Sequence, residues 1–383
     1  MERMRLMDRP EDFEKLGINP SKVEEWEDGR RGTDGPGEGG VWYFDATFDD
    51  GTKSVVAFRP KEPSKMMLAG DSPNLNIAIN PPDGRTLQEF AYASTEDSHV
   101  GTDKCDVHFG PNWCTGDFKD YDVHVEETNG LACDLHYHAL VEPFRQGTSI
   151  IALGDEDQYH YTDLSVPKCR VTGRLLYDGA WHDVQGFGYH DHQWENISPL
   201  LAFHHWFWGR MYTDKHVVYI YEFVGNERFG FTHVPYFMVA DNDTGKIVFS
   251  TNGDYQLETE KEMQPTIGRP FPKTSRYVFD NGDGNRAEMT VTWEQELEVR
   301  DMYGSAPANA AEAKRLQEKL GDMAKVVGGT KEQFDAMGIA PAYMRYYAKG
   351  SLRLTLGDKV EESSGDMIYE YNYTGREDPR AGV

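Results

Sequence analysis

The residues best suited to chemistry lie in one stretch, Gly186-Phe187-Gly188-Tyr189-His190-Asp191-His192-Gln193-Trp194. Alternate side chains of a β-strand share a face, so His190, His192 and Trp194 would point one way and Asp191 the other. An imidazole titrates near neutral pH, and an indole wall stabilises cations and excludes water. This face could therefore move a proton to or from a bound molecule. A second interpretation stays open, in which backbone carbonyls satisfy both histidines inside a packed barrel.

A metal centre is the next possibility, because His204-His205 follows shortly and two histidines with Asp191 would supply the ligands of a facial triad. His204 and His205 point in opposite directions on any strand, however, and the sequence places no third ligand. We therefore predict no metal. The four cysteines form no C-x-x-C pair and are predicted to be free thiols, namely Cys105, Cys114, Cys133 and Cys169.

Charge and glycine patterns argue against several other classes. Asp and Glu number 65 against 39 Lys and Arg, a net charge of -26, which disfavours nucleic acid and anionic membranes as partners. The G-x-G-x-x-G match at Gly35, Gly37 and Gly40 precedes a strand and joins no strand to a helix, so we expect no nucleotide cofactor. No 18-residue apolar window and no apolar leader are present, which predicts a cytoplasmic protein without an integral membrane segment.

The remaining pattern is one of many short strands. Residues 41–48 and 54–58 form a predicted hairpin across Asp49-Asp50-Gly51, and residues 122–126 pair with 135–141 across Asn129-Gly130. Ahead of them, Pro10 opens a short helix that Gly17 closes, and Ser21-x-x-Glu24 predicts a capping box before Trp26. Further strand-like runs are residues 174–177, 217–221, 290–294, 352–356 and 368–373.

This pattern predicts an all-β protein of two antiparallel barrel or sandwich domains. An acidic helical lead-in would occupy residues 1–38, the first β-domain residues 39–200 and the second residues 201–383. Helical spacing at 306–338 predicts a short helical insertion in the second domain. The oligomeric state stays open.

Three segments resemble the carotenoid 1,2-hydratase (hydroxyneurosporene synthase) and AttH family. The run Val41-Trp42-Tyr43-Phe44 resembles its E-W-W-Y strand, residues 186–194 resemble G-x-x-W-x-D-H-x-W, and residues 365–370 resemble G-x-x-Y-x-E. The resemblance covers about residues 39–375 and implies two lipocalin-like domains that hold a lipophilic ligand without metal or nucleotide. The family includes kievitone-hydratase-like enzymes and fungal Diels–Alderases.

The resemblance also implies roles for individual residues. In the hydratases a His and a Trp of the signature, here His192 and Trp194, bind the cation and position water. The acid on the next strand, two residues after a Tyr, would fall on Tyr221 after Tyr219. Because a phenol is a far weaker acid than a carboxyl group, Asp191 and Glu370 are further candidate donors if burial raises their pKa.

Together these observations predict a cofactor-independent enzyme that hydrates, dehydrates or isomerises a hydrophobic polyene, terpenoid or polycyclic molecule. The alternatives are a pericyclase of the same fold and a non-catalytic carrier of a lipophilic ligand. His192 would be the base or water-orienting group, Asp191 its orienter or the acid, Trp194 the cation wall, and Tyr219 and Tyr221 hydrogen-bond donors. The predicted substrate-binding residues are Trp42, Tyr43, His190, Trp206, Trp208, Glu222, Tyr369 and Glu370.

Overall fold

The structure is a computed structural model that describes residues 2–62, 65–66, 68–155, 157–282, 284–301, 335–336 and 338–382. Within these ranges the chain forms two antiparallel sheets of 13 and nine strands. The predicted all-β class is confirmed. Apart from residues 335, 336 and 338, the predicted helical insertion at 306–338 lies outside the described residues.

The first sheet contains β1 (Met4–Leu6), β2 (Gly39–Phe48), β3 (Lys53–Arg59), β4 (Asn74–Asn80), β5 (Leu87–Tyr92), β6 (Ser98–Val100), β7 (Asp106–Phe109), β8 (Asn112–Gly116), β9 (Asp120–Thr128), β10 (Leu131–Ala139), β11 (Ile150–Leu153), β12 (Gln158–Tyr177) and β13 (Ala180–Glu195). Its main order is β5-β4-β3-β2-β13-β12-β10-β9-β8-β7-β6. Helix α1 (Pro10–Leu16) and a 3-10 helix (Glu25–Asp28) precede β2.

The second sheet contains β14 (Phe203–Tyr212), β15 (His216–Gly225), β16 (His233–Asp241), β17 (Ile247–Thr251), β18 (Tyr255–Gln264), β19 (Arg269–Asp280), β20 (Arg286–Asp301), β21 (Ala342–Leu356) and β22 (Lys359–Tyr373). Its order is β17-β16-β15-β14-β22-β21-β20-β19-β18. The short helix α2 (Pro199–Ala202) precedes β14, and 3-10 turns occupy Glu227–Phe229 and Pro379–Ala381.

Two compact units divide the described chain, one of residues 6–151 and 158–197 and the other of residues 1–5, 152–157 and 198–383. The main segment of the second unit begins at Ser198. Residues 6–38 belong to the first unit, and their 3-10 helix is packed into the first sheet, with Glu27 and Asp28 buried.

Each sheet curls around its own hydrophobic core and forms a half-barrel. In the first sheet, Phe44 of β2 contacts Tyr121 of β9 and Tyr137 of β10, with ring centroids 5.7 and 5.4 Å away. Strands that are distant in the sheet order can meet in this way only if the sheet bends. In the second sheet Phe237 of β16 stacks on Phe279 of β19 at 4.3 Å. Both units therefore have the predicted lipocalin-like architecture.

Turn chemistry accounts for the hairpins. Asn129 and Gly130 adopt positive φ angles of 49° and 86° between β9 and β10, as a primed two-residue turn requires. Helix α1 begins at Pro10 and ends at Gly17, whose φ is 66°. The predicted capping box at Ser21 is wrong: Glu24 is the N-cap of the 3-10 helix, and its amide donates to Glu27 Oε1. All four cysteines are buried free thiols, as predicted.

Candidate functional site

Strand β13 presents the predicted site residues on two different faces. It pairs with β2 in a register that sets His192 opposite Trp42, His190 opposite Phe44 and Asp191 opposite Tyr43. Directly paired residues of an antiparallel ladder share a face. His190, His192 and Trp194 therefore lie with Trp42 on the core face of the half-barrel. Asp191 and Tyr43 lie on the other side, which we call the reverse face.

On the core face, His190 is held by groups of its own unit. Its Nδ1 lies 2.9 Å from the carbonyl oxygen of Tyr43, and its Nε2 lies 3.3 Å from Asp28 Oδ2. The same Asp28 oxygen accepts a hydrogen bond of 2.7 Å from the Tyr121 hydroxyl. This arrangement is the satisfied, packed histidine of the second interpretation. His190 acts here as part of the core.

Asp28 is the residue that sequence reasoning missed. Its carboxylate is buried beside His190, and its Oδ1 lies 3.6 Å from His192 Nδ1. Its backbone carbonyl also accepts a hydrogen bond of 2.9 Å from Trp42 Nε1. The only signal in the sequence is an acidic residue directly before Gly29, and that signal does not reveal a partner 162 positions away.

His192 is enclosed by aromatic rings. Its imidazole stacks on Trp42 with ring centroids 4.3 Å apart, and the edges of Tyr161 and Trp194 complete the enclosure. Burial lowers the pKa of His192 to about 3. The ring is therefore neutral at pH 7 and is a poor proton acceptor there, which fits a hydrogen-bonding or packing role better than that of a general base.

The segment before β2 also fixes Trp194. Its indole Nε1 donates to Glu38 Oε2 at 2.7 Å, and the Tyr159 hydroxyl donates to the same oxygen at 3.1 Å. The Arg30 guanidinium lies 5.5 Å from the centre of the indole. Trp194 is thus anchored on the core face by groups from residues 24–38 and from β12.

The reverse face holds a buried carboxyl with an altered pKa. Tyr189 donates to Asp191 Oδ2 at 2.9 Å, and Gln193 Nε2 donates to Oδ1 at 3.1 Å. Burial raises the pKa of Asp191 to about 7 against these hydrogen bonds, with a further contribution from the charge of Asp45. Asp191 therefore exists as a mixture of acid and carboxylate at neutral pH.

The same face carries other polar side chains. The Tyr43 hydroxyl lies 3.4 Å from Asp45 Oδ2, and Arg59 donates to Asn76 Oδ1 at 2.6 Å. Burial raises the pKa of Glu195 to about 7 and lowers that of Arg59 to about 10. Glu195 is therefore partly protonated at pH 7, whereas Arg59 keeps its positive charge there. The reverse face is rich in hydrogen-bonding groups, among them partly protonated carboxyl groups and one guanidinium.

One predicted role does not fit this geometry. Asp191 was predicted to orient His192, but the two side chains project to opposite faces of β13 because they are adjacent in the strand. The carboxylate that faces His192 is Asp28. The alternative prediction, in which Asp191 acts as an acid after burial raises its pKa, is supported by the direction of its shift.

In the second unit, the structure places most of the predicted residues together on one face. Trp208 of β14 pairs with Tyr221 of β15 and with Glu370 of β22, and the alternate positions carry Trp206 and Tyr219. The Glu370 carboxylate accepts a hydrogen bond of 2.7 Å from the Tyr343 hydroxyl. These five residues lie on the reverse face of the second sheet.

Glu222 and Tyr369 lie on the core face of the second sheet. Strand β15 runs without a register shift around Glu222, so this carboxylate points into the half-barrel and away from the face of Tyr221. There it lies 2.7 Å from His233 Nδ1 and 3.4 Å from the Tyr277 hydroxyl. The prediction that both residues bind substrate together with Trp208 therefore does not fit their orientation.

His204 and His205, the histidines weighed above as possible metal ligands, contact each other directly. His204 and His205 hydrogen-bond to each other through their Nδ1 atoms, 2.8 Å apart. Within the described part of the chain, no group of three or more His, Cys, Asp or Glu side chains is arranged to hold a metal ion. Among the described residues there is also no helix long and apolar enough to cross a bilayer.

The fold and these two faces define the class as a lipocalin-like β protein with two half-barrels. Three solved structures share it. They are an AttH-like protein of Nitrosomonas europaea (14% identity, TM-score 0.55, 92% of this chain and 98% of that one), kievitone hydratase of Nectria haematococca (12%, 0.51, 93% and 94%) and CghA bound to Sch210972 (12%, 0.56, 88% and 89%). At these identities the likeness shows the fold alone.

The sequence comparison is more specific. The Svf1 family model matches residues 83–372, more than half of the chain, and the protein belongs to the Svf1 family. A relative in Emericella nidulans, the ceramide-binding protein svf1, is 22% identical over 260 residues, which cover 66% of this chain and 64% of the fungal protein. This chain thus spans less than two thirds of that relative's length. The sequence resemblance identified the right fold but a different family.

Proposed function

We propose that this protein binds a neutral, hydrophobic small molecule that carries hydroxyl or amide groups, and holds it without converting it. The observation that carries the proposal is the reverse face of the first half-barrel around Asp191. There a buried carboxyl, the Tyr189 hydroxyl and the Gln193 amide form a connected set of donors and acceptors. Such groups fix the orientation of a polar head beside apolar surface.

The charge of the site favours a neutral head group. Asp191 and Asp45 lie on the same buried face, and each negative charge raises the cost of bringing in another, while the positive charge of Arg59 is offset by the neighbouring Glu195. The whole chain adds a net charge of -26, which repels anions at longer range. A phosphate head would be disfavoured on both counts, whereas an alcohol or amide can exchange hydrogen bonds with a protonated carboxyl group.

Relatives support the same class of ligand. The Emericella nidulans protein is named for ceramide binding, and ceramide is a neutral lipid whose head consists of an amide and hydroxyl groups. We propose a ligand of that chemical class for this chain. This is the carrier that the sequence left as an alternative to an enzyme.

An enzymatic function is the second candidate, and one observation favours it. A carboxyl group whose pKa is raised to about 7 is suited to general acid catalysis at neutral pH. Asp191 could then protonate a double bond, and water or loss of a proton would complete a hydration or an isomerisation. A pericyclic cyclisation needs no proton donor, so the raised pKa of Asp191 does not favour it.

One experiment separates these functions. The purified protein is incubated without cofactors in ¹⁸O-labelled water with a lipid extract of its own source, and bound and free lipophiles are compared by mass spectrometry. We expect a neutral lipophile to remain bound and unchanged. A product with labelled oxygen would establish a hydratase, and an isobaric product with a new retention time an isomerase or cyclase.

A matched pair of variants tests whether the bound lipophile lies on the reverse face around Asp191. Asp191→Asn should reduce the amount of bound lipophile severalfold, because the amide cannot reproduce both states of the carboxyl group. Asp183→Asn makes the same change at an exposed position of the same strand and should leave binding unaltered. Equal retention by both variants would remove Asp191 from the site.

A further inference from the structure

A pair of histidines in the second unit ends in a buried nitrogen that has no hydrogen-bond partner among the described residues. His204 Nε2 lies 2.5 Å from the carbonyl oxygen of Arg376, which can only accept, so this nitrogen carries the proton. The neutral ring therefore has a bare Nδ1. That atom accepts from His205 Nδ1 at 2.8 Å, which leaves His205 Nε2 as a lone-pair acceptor.

His205 remains a neutral acceptor because of where it lies. Its side chain is fully buried, between Phe207 and Tyr371 on the core face of the half-barrel. Burial holds the pKa of His205 well below its usual range, and the neighbouring His204 adds to this effect. Within the described part of the chain, His205 Nε2 has no hydrogen-bond partner. A buried acceptor in this state is costly unless a donor reaches it.

A second polar group, the Tyr373 hydroxyl, belongs to the residue that pairs with His205 in the sheet. Tyr373 is paired directly with His205 in the β14–β22 ladder, so both side chains lie on the core face. The Tyr373 side chain is buried, and among the described residues its hydroxyl has no hydrogen-bond partner. Tyr373 also lines a cleft of about 390 Å³ together with Ile267, Pro270 and Ala340 and with the charged residues Arg269, Arg376 and Glu377.

From these observations we infer a second binding site, at this end of the second half-barrel, for a small neutral molecule with a hydroxyl or secondary amide group. Its O–H or N–H would donate to His205 Nε2, and its oxygen would accept from the Tyr373 hydroxyl. A carboxylate cannot supply the donor that His205 needs, so a fatty-acid anion held by Arg269 and Arg376 of the cleft would leave His205 Nε2 without one. The site shares no residue with the Asp191 face and does not depend on the function proposed there.

The test is an NMR titration of the full chain with ¹⁵N-labelled histidine. The probe is 1-octanol, and octanoate, an anion of the same chain length, is the control. We expect octanol to move the His205 Nε2 resonance saturably upfield, as happens when a bare imidazole nitrogen accepts a hydrogen bond. Octanoate should leave this resonance in place. If octanol produces no saturable shift, the buried nitrogen has only water as a partner and the inference is wrong.

Two variants make the test specific. Tyr373→Phe keeps the ring and removes only the hydroxyl, and it should weaken octanol binding about threefold to tenfold, the range of one neutral hydrogen bond. Asp191→Asn should leave octanol binding at this site unchanged. Unaltered affinity in a folded Tyr373→Phe variant would contradict the assignment, while loss of octanol binding in Asp191→Asn would place the probe at the other site.

Discussion

Burial controls the acidity of Asp191 more strongly than any neighbouring charge. Two hydrogen bonds, from Tyr189 and Gln193, stabilise its carboxylate, yet the pKa is still raised to about 7. The result is a group that donates at mildly acidic pH and only accepts above neutrality. At the residue scale, the proposed function makes this one carboxyl group the selector of the polar heads that the reverse face holds.

The raised pKa predicts a specific effect of pH on stability. Because the folded pKa lies above the unfolded value of 3.8, the folded state holds the proton more tightly, and stability falls as pH rises from about 4 to about 7. Asp191→Asn removes this dependence. The difference in free energy of unfolding between variant and wild type should shift in the variant's favour by roughly 3–4 kcal/mol between pH 4 and pH 8.

Urea unfolding at a series of pH values measures this difference. The pKa of Glu195 is raised as well, so Glu195 also makes stability depend on pH. Wild type and Asp191→Asn must therefore be compared with each other at each pH and not with a theoretical curve. A difference that stays constant over the range would show that Asp191 titrates normally.

At the scale of elements, the segment before β2 acts as part of the first half-barrel. Its 3-10 helix, Glu25–Asp28, brings one carboxylate into contact with Tyr121 and His190 on the core face. Glu38, ten residues further on, holds the indole of Trp194. The histidine and tryptophan of the signature are therefore positioned by residues that lie far from them in sequence.

Asp28→Ala should destabilise the protein by about 2–4 kcal/mol, because it leaves the buried Tyr121 hydroxyl and His190 without their shared acceptor. Asp34→Ala, at an exposed position of the same segment, should change stability by less than about 0.5 kcal/mol. Chemical unfolding of both variants gives the comparison. Equal stability would show that the segment does not support the core.

The glycines of β13 are explained by close backbone approach. A Cβ at Gly188 would lie 2.3 Å from the carbonyl oxygen of Asp45 and 2.7 Å from a methyl group of Val171. Gly188→Ala should therefore destabilise the protein by about 3 kcal/mol in the same unfolding assay. Gly253→Ala, at an exposed turn where a Cβ meets nothing closer than 3.4 Å, is the control. An equal effect of the two substitutions would refute this explanation.

The sequence predicted strands and faces well because both depend on local periodicity. The hairpin β2–β3, the hairpin β9–β10 and the alternation of His190, Asp191 and His192 all follow from a period of two and from turn residues. The sequence did not predict contacts between residues that only tertiary folding brings together. Asp28 beside His190 and the inward orientation of Glu222 depend on how distant strands curl together, which no local pattern encodes.

At the scale of the whole molecule, each half-barrel has an aromatic core and a reverse face that carries polar and aromatic groups. The first unit contributes Asp191 and its donors, and the second contributes Trp208, Tyr221 and Glu370. The acidic composition of the chain disfavours an anionic ligand. We therefore propose that this protein selects its ligand by the charge of the head group.

The most direct measurement compares the affinities of ceramide and ceramide 1-phosphate for the wild-type protein and for Asp191→Asn at pH 6 and pH 8. The two lipids differ only in a phosphate group, which replaces the hydrogen of one head-group hydroxyl and makes the head anionic. We predict that the wild type prefers ceramide by at least about tenfold at pH 8, less at pH 6, and that this pH dependence is smaller in the variant, where Glu195 and the phosphate itself still titrate. Equal binding of both lipids, or a preference for the phosphate, would contradict the account.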